Sequence, residues 1–184
     1  IDWPYGIAMP LVSSVSTVTS DILPTLCKLA GTRFPDVPLD GIDLMPLLQG
    51  NMKQRRKPIA FWNFPTLTNQ DSKPYIDPEL QRGTTPLVKK SRGLFTRNFR
   101  NDHHPEITED DFNGARAIIS GDYKLVIDGD KNTGVELFNL RNDSAESNNL
   151  AGSQSVMVEK LKKEMRDWQA SALYSLMEAD YKSK

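Results

Sequence analysis

The sequence is short of the residues that announce most chemistries. It has one cysteine and two histidines in 184 residues, so no intrachain disulfide and no cysteine zinc cage can form. His103 and His104 are adjacent, which excludes an HExxH site, where two imidazoles three or four positions apart share a helix face. No GxxxxGK[ST] or GxGxxG phosphate loop and no GxSxG elbow occurs. An excess of one charge is missing too. With 23 Lys+Arg, 24 Asp+Glu and a net charge of −1, the chain has no global electrostatic reason to bind nucleic acid or an acidic membrane surface. No run approaches the ~18 apolar residues of a membrane span. Ile1-Asp2-Trp3-Pro4 also lacks the charged start and apolar stretch of a signal peptide. The chain begins without Met, and the expectation is a processed product or a piece of a longer protein.

What is present is patterned. Residues 1–18 are apolar and Ser/Thr-rich, broken by Pro4 and Pro10, and read as a short strand or loop. Thr19-Ser20-Asp21 offers capping oxygens. Pro24 fits a first helical turn, Ile22, Leu26 and Leu29 form an apolar stripe, and Gly31 stands at a left-handed stop, so a helix is expected over about 21–30. Residues 32–51 read as an ordered loop with one helical turn opened by Pro46. Ile59 to Phe64 reads as a strand, and Arg116–Ser120 with Tyr123–Ile127 as a hairpin turning at Gly121-Asp122. After a turn over Asp128 to Gly134, Val135–Leu140 alternates as a half-buried strand. A long helix is expected over about 155–180, with Val158, Leu161, Met165, Trp168, Ala172 and Leu176 as its apolar stripe. Residues 65–113 hold five scattered prolines and no clear element; such a stretch inside a compact domain is usually functional or disordered.

Most reactive-looking residues have a plain structural reading. Cys27 sits inside the first helix with no histidine near it in sequence, as a buried structural thiol would. Glu109-Asp110-Asp111 reads as a solvated charge run. Asp128-Gly129-Asp130-Lys131-Asn132 lacks the glycine and the final acid of a calcium loop, with Thr133 and Asn139 in those places. The basic runs at 53–57 and 89–92 read as solvated faces. One segment holds a second reading. Arg92 to His104 interleaves cations, amides and aromatics, and besides a polar surface loop it suits an anionic or sugar ligand, which arginine forks and histidine donors can grip.

Residues 20–50 resemble the sulfatase family. Ser20-Asp21-Ile22-Leu23-Pro24-Thr25-Leu26, Leu29-Ala30-Gly31 and Leu39-Asp40-Gly41-Ile42-Asp43-Leu44-Met45-Pro46-Leu47-Leu48-Gln49-Gly50 look like the stretch that joins the catalytic domain to the C-terminal subdomain in arylsulfatases and N-acetylgalactosamine-6-sulfatases. Trp3-Pro4 fits the family's W-P just upstream. Gly121-Asp122-Tyr123-Lys124-Leu125-Val126 is similar to its Gly-x-Tyr-Lys-Leu strand, and Glu136 through Ala151 to its E-L-Y-D-L…N-L-A segment, with Ile119, Phe138 and Ser144 as departures.

The resemblance implies an α+β subdomain, a four-stranded antiparallel sheet packed on a long C-terminal helix, with a short strand-helix piece of the catalytic α/β domain before it. On this basis residues 1–52 belong to the end of that α/β domain and its connecting loop, and 53–184 form the C-terminal subdomain. It implies a parent that hydrolyses sulfate esters, with formylglycine as nucleophile and calcium offsetting the sulfate charge. Neither is expected on this chain. Cys27 has Leu29 and Gly31 where the C/S-x-P-x-R motif needs Pro and Arg, so no catalytic and no metal-binding residue is assigned. Arg97, His103 and His104 are the candidate substrate-binding residues. The implied partners are a sulfated small molecule or glycan and the missing N-terminal catalytic domain, in an extracytoplasmic setting. A non-catalytic glycan-binding or scaffold module and a phosphatase or phosphodiesterase relative are the alternatives.

Overall fold

The structure is a computed structural model that describes residues 3, 6–7, 12–64, 90–91, 94–95, 107–129, 134–177 and 179. The chain forms two compact units, one of residues Ile1–Pro65 with Thr108–Lys184 and one of Thr66–Ile107. In the second unit, β2 (Lys90–Ser91) pairs antiparallel with β3 (Leu94–Phe95).

The first unit is built on β1 (Ile59–Trp62), β4 (Arg116–Ser120), β5 (Tyr123–Ile127) and β6 (Val135–Asn139). They form one antiparallel sheet in the order β1-β4-β5-β6. Register aligns Ala60, Ile118, Leu125 and Leu137 across all four strands. Because side chains alternate between faces, these four share one face, and Ile118, Leu125 and Leu137 are fully buried there. The Gly121-Asp122 turn closes the β4–β5 hairpin, with Ser120 opposite Tyr123 and Gly121 at φ 60°. A positive φ at the first turn residue alone is the II′ pattern, whose twist matches that of the strands. The outer edge of β6 is covered: the Leu137 N–H donates to Asn149 Oδ1 and the Leu150 N–H to the Leu137 carbonyl. That blunts an edge that could otherwise pair with another chain.

Helix α3 (Ser155–Leu176) lays Val158, Leu161 and Met165 against Ile118, Leu125, Ile127 and Leu137. Its first three stripe positions match the sequence expectation, and then the stripe departs from it. Beyond Met165 the buried residues are Gln169 and Leu173, whereas Leu176 is exposed and Trp168 and Ala172 are only half-buried. Steps of four favour 165, 169 and 173, and Gln169 is accepted inside because its Nε2 donates to the Phe112 carbonyl at 3.1 Å. Sequence reading prefers apolar residues and so passes over a satisfied glutamine.

Ahead of the sheet, a 3-10 turn (Thr19–Asp21) leads into α1 (Ile22–Leu29), and α2 (Met45–Leu48) is the single turn that Pro46 opens. No strand occurs among described residues 12–18. Gly31, at φ 63°, ends α1 as expected: the Thr32 N–H reaches the Cys27 carbonyl and the Gly31 N–H that of Lys28. α1 departs from the usual amphipathic arrangement, in which the apolar stripe faces the core. It buries Pro24, Thr25 and Cys27, while Ile22, Leu23, Leu26 and Leu29 are 55, 49, 55 and 44% exposed. The predicted apolar stripe faces out.

Candidate functional site

The reason α1 turns its apolar stripe outward is a polar knot on its other side. Asp21 is fully buried, and its carboxylate takes a two-pronged ion pair from Arg55, Nη1 to Oδ2 at 2.7 Å and Nη2 to Oδ1 at 3.0 Å. Oδ2 also accepts the Val18 N–H and Oδ1 the Ile42 N–H, each at 2.9 Å. One turn on, the Thr25 hydroxyl donates to the Asp21 carbonyl and accepts the Leu44 N–H. The Arg55 Nε donates to the Lys57 carbonyl. A single carboxylate thus fixes the entry to α1, the 42–44 loop and the 55–57 segment against one another. Such bidentate charge-assisted bonds are the strong class, and a buried charge persists only when its lone pairs are met this fully. Burial pushes the Asp21 carboxyl up, but the Arg55, Val18 and Ile42 hydrogen bonds and the Arg55 charge outweigh it and hold it below the usual aspartate value. Asp21 therefore does not cap α1 with its side chain, as its position had suggested. Gly41 completes the knot through space and not through φ: a Cβ there would collide with the Ser20 carbonyl.

Arg55 is the residue that sequence reading misplaced. It lies inside the run Lys53-Gln54-Arg55-Arg56-Lys57, which reads as a solvated face, yet it is 8% exposed while Lys53, Gln54, Arg56 and Lys57 are open to solvent. Nothing in a charged run marks which cation will fold inward; the partner lies 34 positions away. Beside the knot is a cleft of about 380 Å³. One wall is Ser14–Ser16, another is the Lys53–Lys57 segment, and the turns at Gly121-Asp122 and Leu140-Arg141 close it.

The predicted substrate-binding residues Arg97, His103 and His104 lie outside the described residues. Cys27 is a buried free thiol on the inner side of α1. The Glu109–Phe112 stretch is a 3-10 turn in which Asp111 accepts the Thr108 N–H and hydroxyl, and Glu109 pairs with Arg166 at 2.7 Å. Glu109 is solvated as the charge-run reading expects, but Asp111 is buried, because its carboxylate turns back to take the Thr108 donors. The Asp128 N–H donates to the Gly134 carbonyl, with both Gly129 and Gly134 at positive φ.

Family models give no match to the chain. A stretch of 61 residues, 33% of this chain, is 44% identical to arylsulfatase A of Bos taurus, of which it covers 12%. Over 169 residues, 90% of this chain is 28% identical to the ulvan-active sulfatase of Formosa agariphila, of which it covers 31%. The chain is related to the sulfatases. Among solved structures, the crystal structure of Ps i-CgsB in complex with k-i-k-neocarrahexaose aligns with 89% of this chain at 16% identity and a TM-score of 0.48, over 29% of the length of Ps i-CgsB. The chain thus spans less than a third of the sulfatases it matches. Among the described residues no three His, Cys, Asp or Glu side chains converge to hold a cation. Cys27, buried and followed by Leu29 and Gly31 in place of Pro and Arg, does not fit a formylglycine precursor. Of the described helices, none is long and apolar enough to cross a membrane.

Proposed function

We propose that this chain is the C-terminal part of a sulfatase, a sulfuric ester hydrolase of the alkaline phosphatase superfamily, and that it supports the catalytic domain and lines one side of the substrate cleft. The observation that supports this reading is the outward face of α1. Four apolar side chains about half exposed on one short helix are more than scattered surface residues, and a contiguous patch of this kind marks a contact surface. Burying their exposed halves would contribute roughly 3–6 kcal/mol. The occupant is the catalytic α/β domain, to which residues 1–52 belong, with 53–184 as the subdomain. That domain carries the formylglycine and the calcium. Arg97, His103 and His104 contact the substrate, a sulfated small molecule or glycan, outside the cytoplasm.

The test is an aryl sulfate assay of the 184-residue chain beside the same chain joined to its upstream sequence. Turnover is expected only from the joined protein, and turnover by the chain alone overturns the assignment. An upstream C/S-x-P-x-R motif supports it; a Thr or Ser nucleophile with two-zinc ligands points instead to phosphorus chemistry, and neither points to a binding module. Replacing Arg97 and His104 in the joined protein raises KM. An unchanged KM makes their segment a polar surface loop.

A further inference from the structure

The four-stranded sheet has two edges, and they are finished differently. The outer side of β6 is met by Asn149 and Leu150. The outer side of β1 is open. The Asn63 N–H donates to the Ala115 carbonyl, in line with the β1–β4 register. Because bonded residues alternate along an antiparallel strand, Ile59 and Phe61 also turn their backbone groups to β4. Ala60 and Trp62 turn theirs outward, and among the described residues no group meets them there. Sheet edges are commonly guarded by a charged side chain, a proline or a bulge. Ile59-Ala60-Phe61-Trp62 carries neither charge nor proline, and its pairing with β4 runs without a bulge. Pro58 stands just outside it. The edge is also held ready: the Trp62 indole N–H donates to the Asn113 carbonyl at 2.7 Å, and its rings lie edge-on to Phe64 and Trp168, with centres 4.9 and 6.2 Å apart.

We propose that β1 pairs antiparallel with β1 of a second copy of this chain, about a two-fold axis through Phe61. The register follows from the free groups. With Ala60 of one copy opposite Trp62 of the other, each such pair exchanges both backbone bonds, and the two pairs related by the axis leave no free donor or acceptor at either residue. Pro58, which has no N–H, ends the ladder beyond them. Phe61 then faces Phe61 in a non-hydrogen-bonded pair, where opposed side chains come closest. It is 50% exposed and opens the aligned row Phe61, Ala117, Val126 on the face away from α3. An axis perpendicular to the sheet keeps each face on its own side, so the rows of the two copies meet end to end and each exposed phenylalanine is covered by the other. Such aromatic cross-strand pairs are stabilising. Glu136, the one charge of the row, lies on the far edge strand and is kept away from the contact. This self-complementarity is what an isologous interface requires, and it favours a second copy over an unrelated extended segment. Four residues a side fall short of the ~1,200 Å² that stable complexes bury, so the pairing is weak and concentration-dependent. The edge is already ordered by its bonds to β4 and by Trp62, which spares the association an ordering cost.

The experiment is sedimentation equilibrium of the joined protein up to about 1 mM, the weak end of the affinity range, with wild type, Phe61→Lys, Phe61→Glu and an equal mixture of the two variants. The wild type is expected to form dimers reversibly. Each variant alone should associate roughly tenfold more weakly, because like charges then face each other across the axis, and the mixture should recover, because Lys then faces Glu. Position 61 is half exposed, and recovery in the mixture shows at the same time that both variants fold. Hydrogen exchange locates the contact: the Ala60 and Trp62 amides should slow as concentration rises, while those of Ile59 and Phe61, already bonded to β4, should not change. A wild type that stays monomeric over this range, or a Phe61→Lys variant that associates as well as the wild type, overturns the pairing. So does a mixture no more associated than its separate components. Protection of Ala60 and Trp62 that is independent of concentration puts a segment of the joined protein itself on the edge, and overturns it as well. None of these readouts uses sulfate-ester hydrolysis, so their outcome is separate from that of the function assigned above.

Discussion

The sheet with α3 and the segment that precedes it are held by opposite means. In the first, apolar side chains in register meet an apolar helix stripe, with Ile118, Leu125, Leu137 and Leu161 all fully buried. In the second, residues 18–57 gather on one carboxylate, and the apolar side chains of α1 point away. Apolar burial is non-directional and spread over many contacts, so losing one contact leaves the rest in place. A buried ion pair is directional and mutual: remove one partner and the other remains as an uncompensated charge. The knot should therefore fail abruptly where the core fails by degrees.

The largest effect is expected at Asp21. Asp21→Asn leaves the Arg55 guanidinium, which is 8% exposed, without a counter-charge, and the expected loss is about 3–5 kcal/mol by urea unfolding. The double variant Asp21→Leu/Arg55→Met recovers most of it if the pair itself adds little net stability. A double variant as unstable as the single would show instead that the hydrogen bonds to Val18 and Ile42 carry the fold of this segment. The same residue sets a pH dependence. Because the folded-state pKa of Asp21 lies below the ordinary value of 3.8, its contribution is complete above that value and falls away as pH drops through the folded pKa. Wild-type stability should decline on acidification below about pH 4, and Asp21→Asn should flatten that slope. An equal slope in the variant would assign the acid loss to other carboxylates.

Next comes the core. Leu161→Ala removes a fully buried side chain between α3 and the sheet and should cost about 2–4 kcal/mol through lost burial and the cavity left behind. It differs from Asp21→Asn in kind. Denaturation of the leucine variant should keep its cooperativity with a lowered midpoint, whereas loss of the knot should release α1 and the 42–44 loop ahead of the sheet, seen as early hydrogen exchange at Ile42 and Leu44. Simultaneous loss of protection in both regions would erase the distinction.

The same contrast explains what could be read from sequence. The hairpin, β6 and the first half of α3 announce themselves because burial repeats with the period of the element, two for Leu125 and Ile127 and three to four for Val158, Leu161 and Met165. Gly31 and Gly121 are legible because the chain reversals they make need positive φ. The knot leaves no such trace. Asp21 meets Arg55 across 34 positions and Ile42 across 21, so neither local propensity nor period reports it. The apolar stripe of α1 is legible, but the side it faces is not, because Thr25 and Asp21 take the inner side through the same distant contacts. Gly41 carries a turn signal next to Asp40, yet its requirement is the closeness of the Ser20 carbonyl, which only the fold reveals. The cleft is hidden likewise, because Lys53 and Arg141, far apart in sequence, line it together only in the folded chain.

The smallest predicted effect tests whether a backbone requirement belongs with the gradual or the abrupt class. At Gly121 an added Cβ would meet only the Gln54 Nε2 at 3.4 Å, ordinary contact with the end of a flexible side chain. The cost of Gly121→Ala is then conformational alone, that of an L-residue at φ 60°, about 1–2 kcal/mol. Because the strain sits in a turn whose flanking register is set by Ile118 opposite Leu125, the hairpin should keep its pairing and the midpoint should simply fall. Hydrogen exchange at Ile118 and Leu125, which lie in a hydrogen-bonded pair of the hairpin, checks this. If protection there collapses, the II′ turn fixes the register and the sheet is less self-sufficient than its apolar row suggests; if it holds, side-chain rows set the pairing and the turn only follows them.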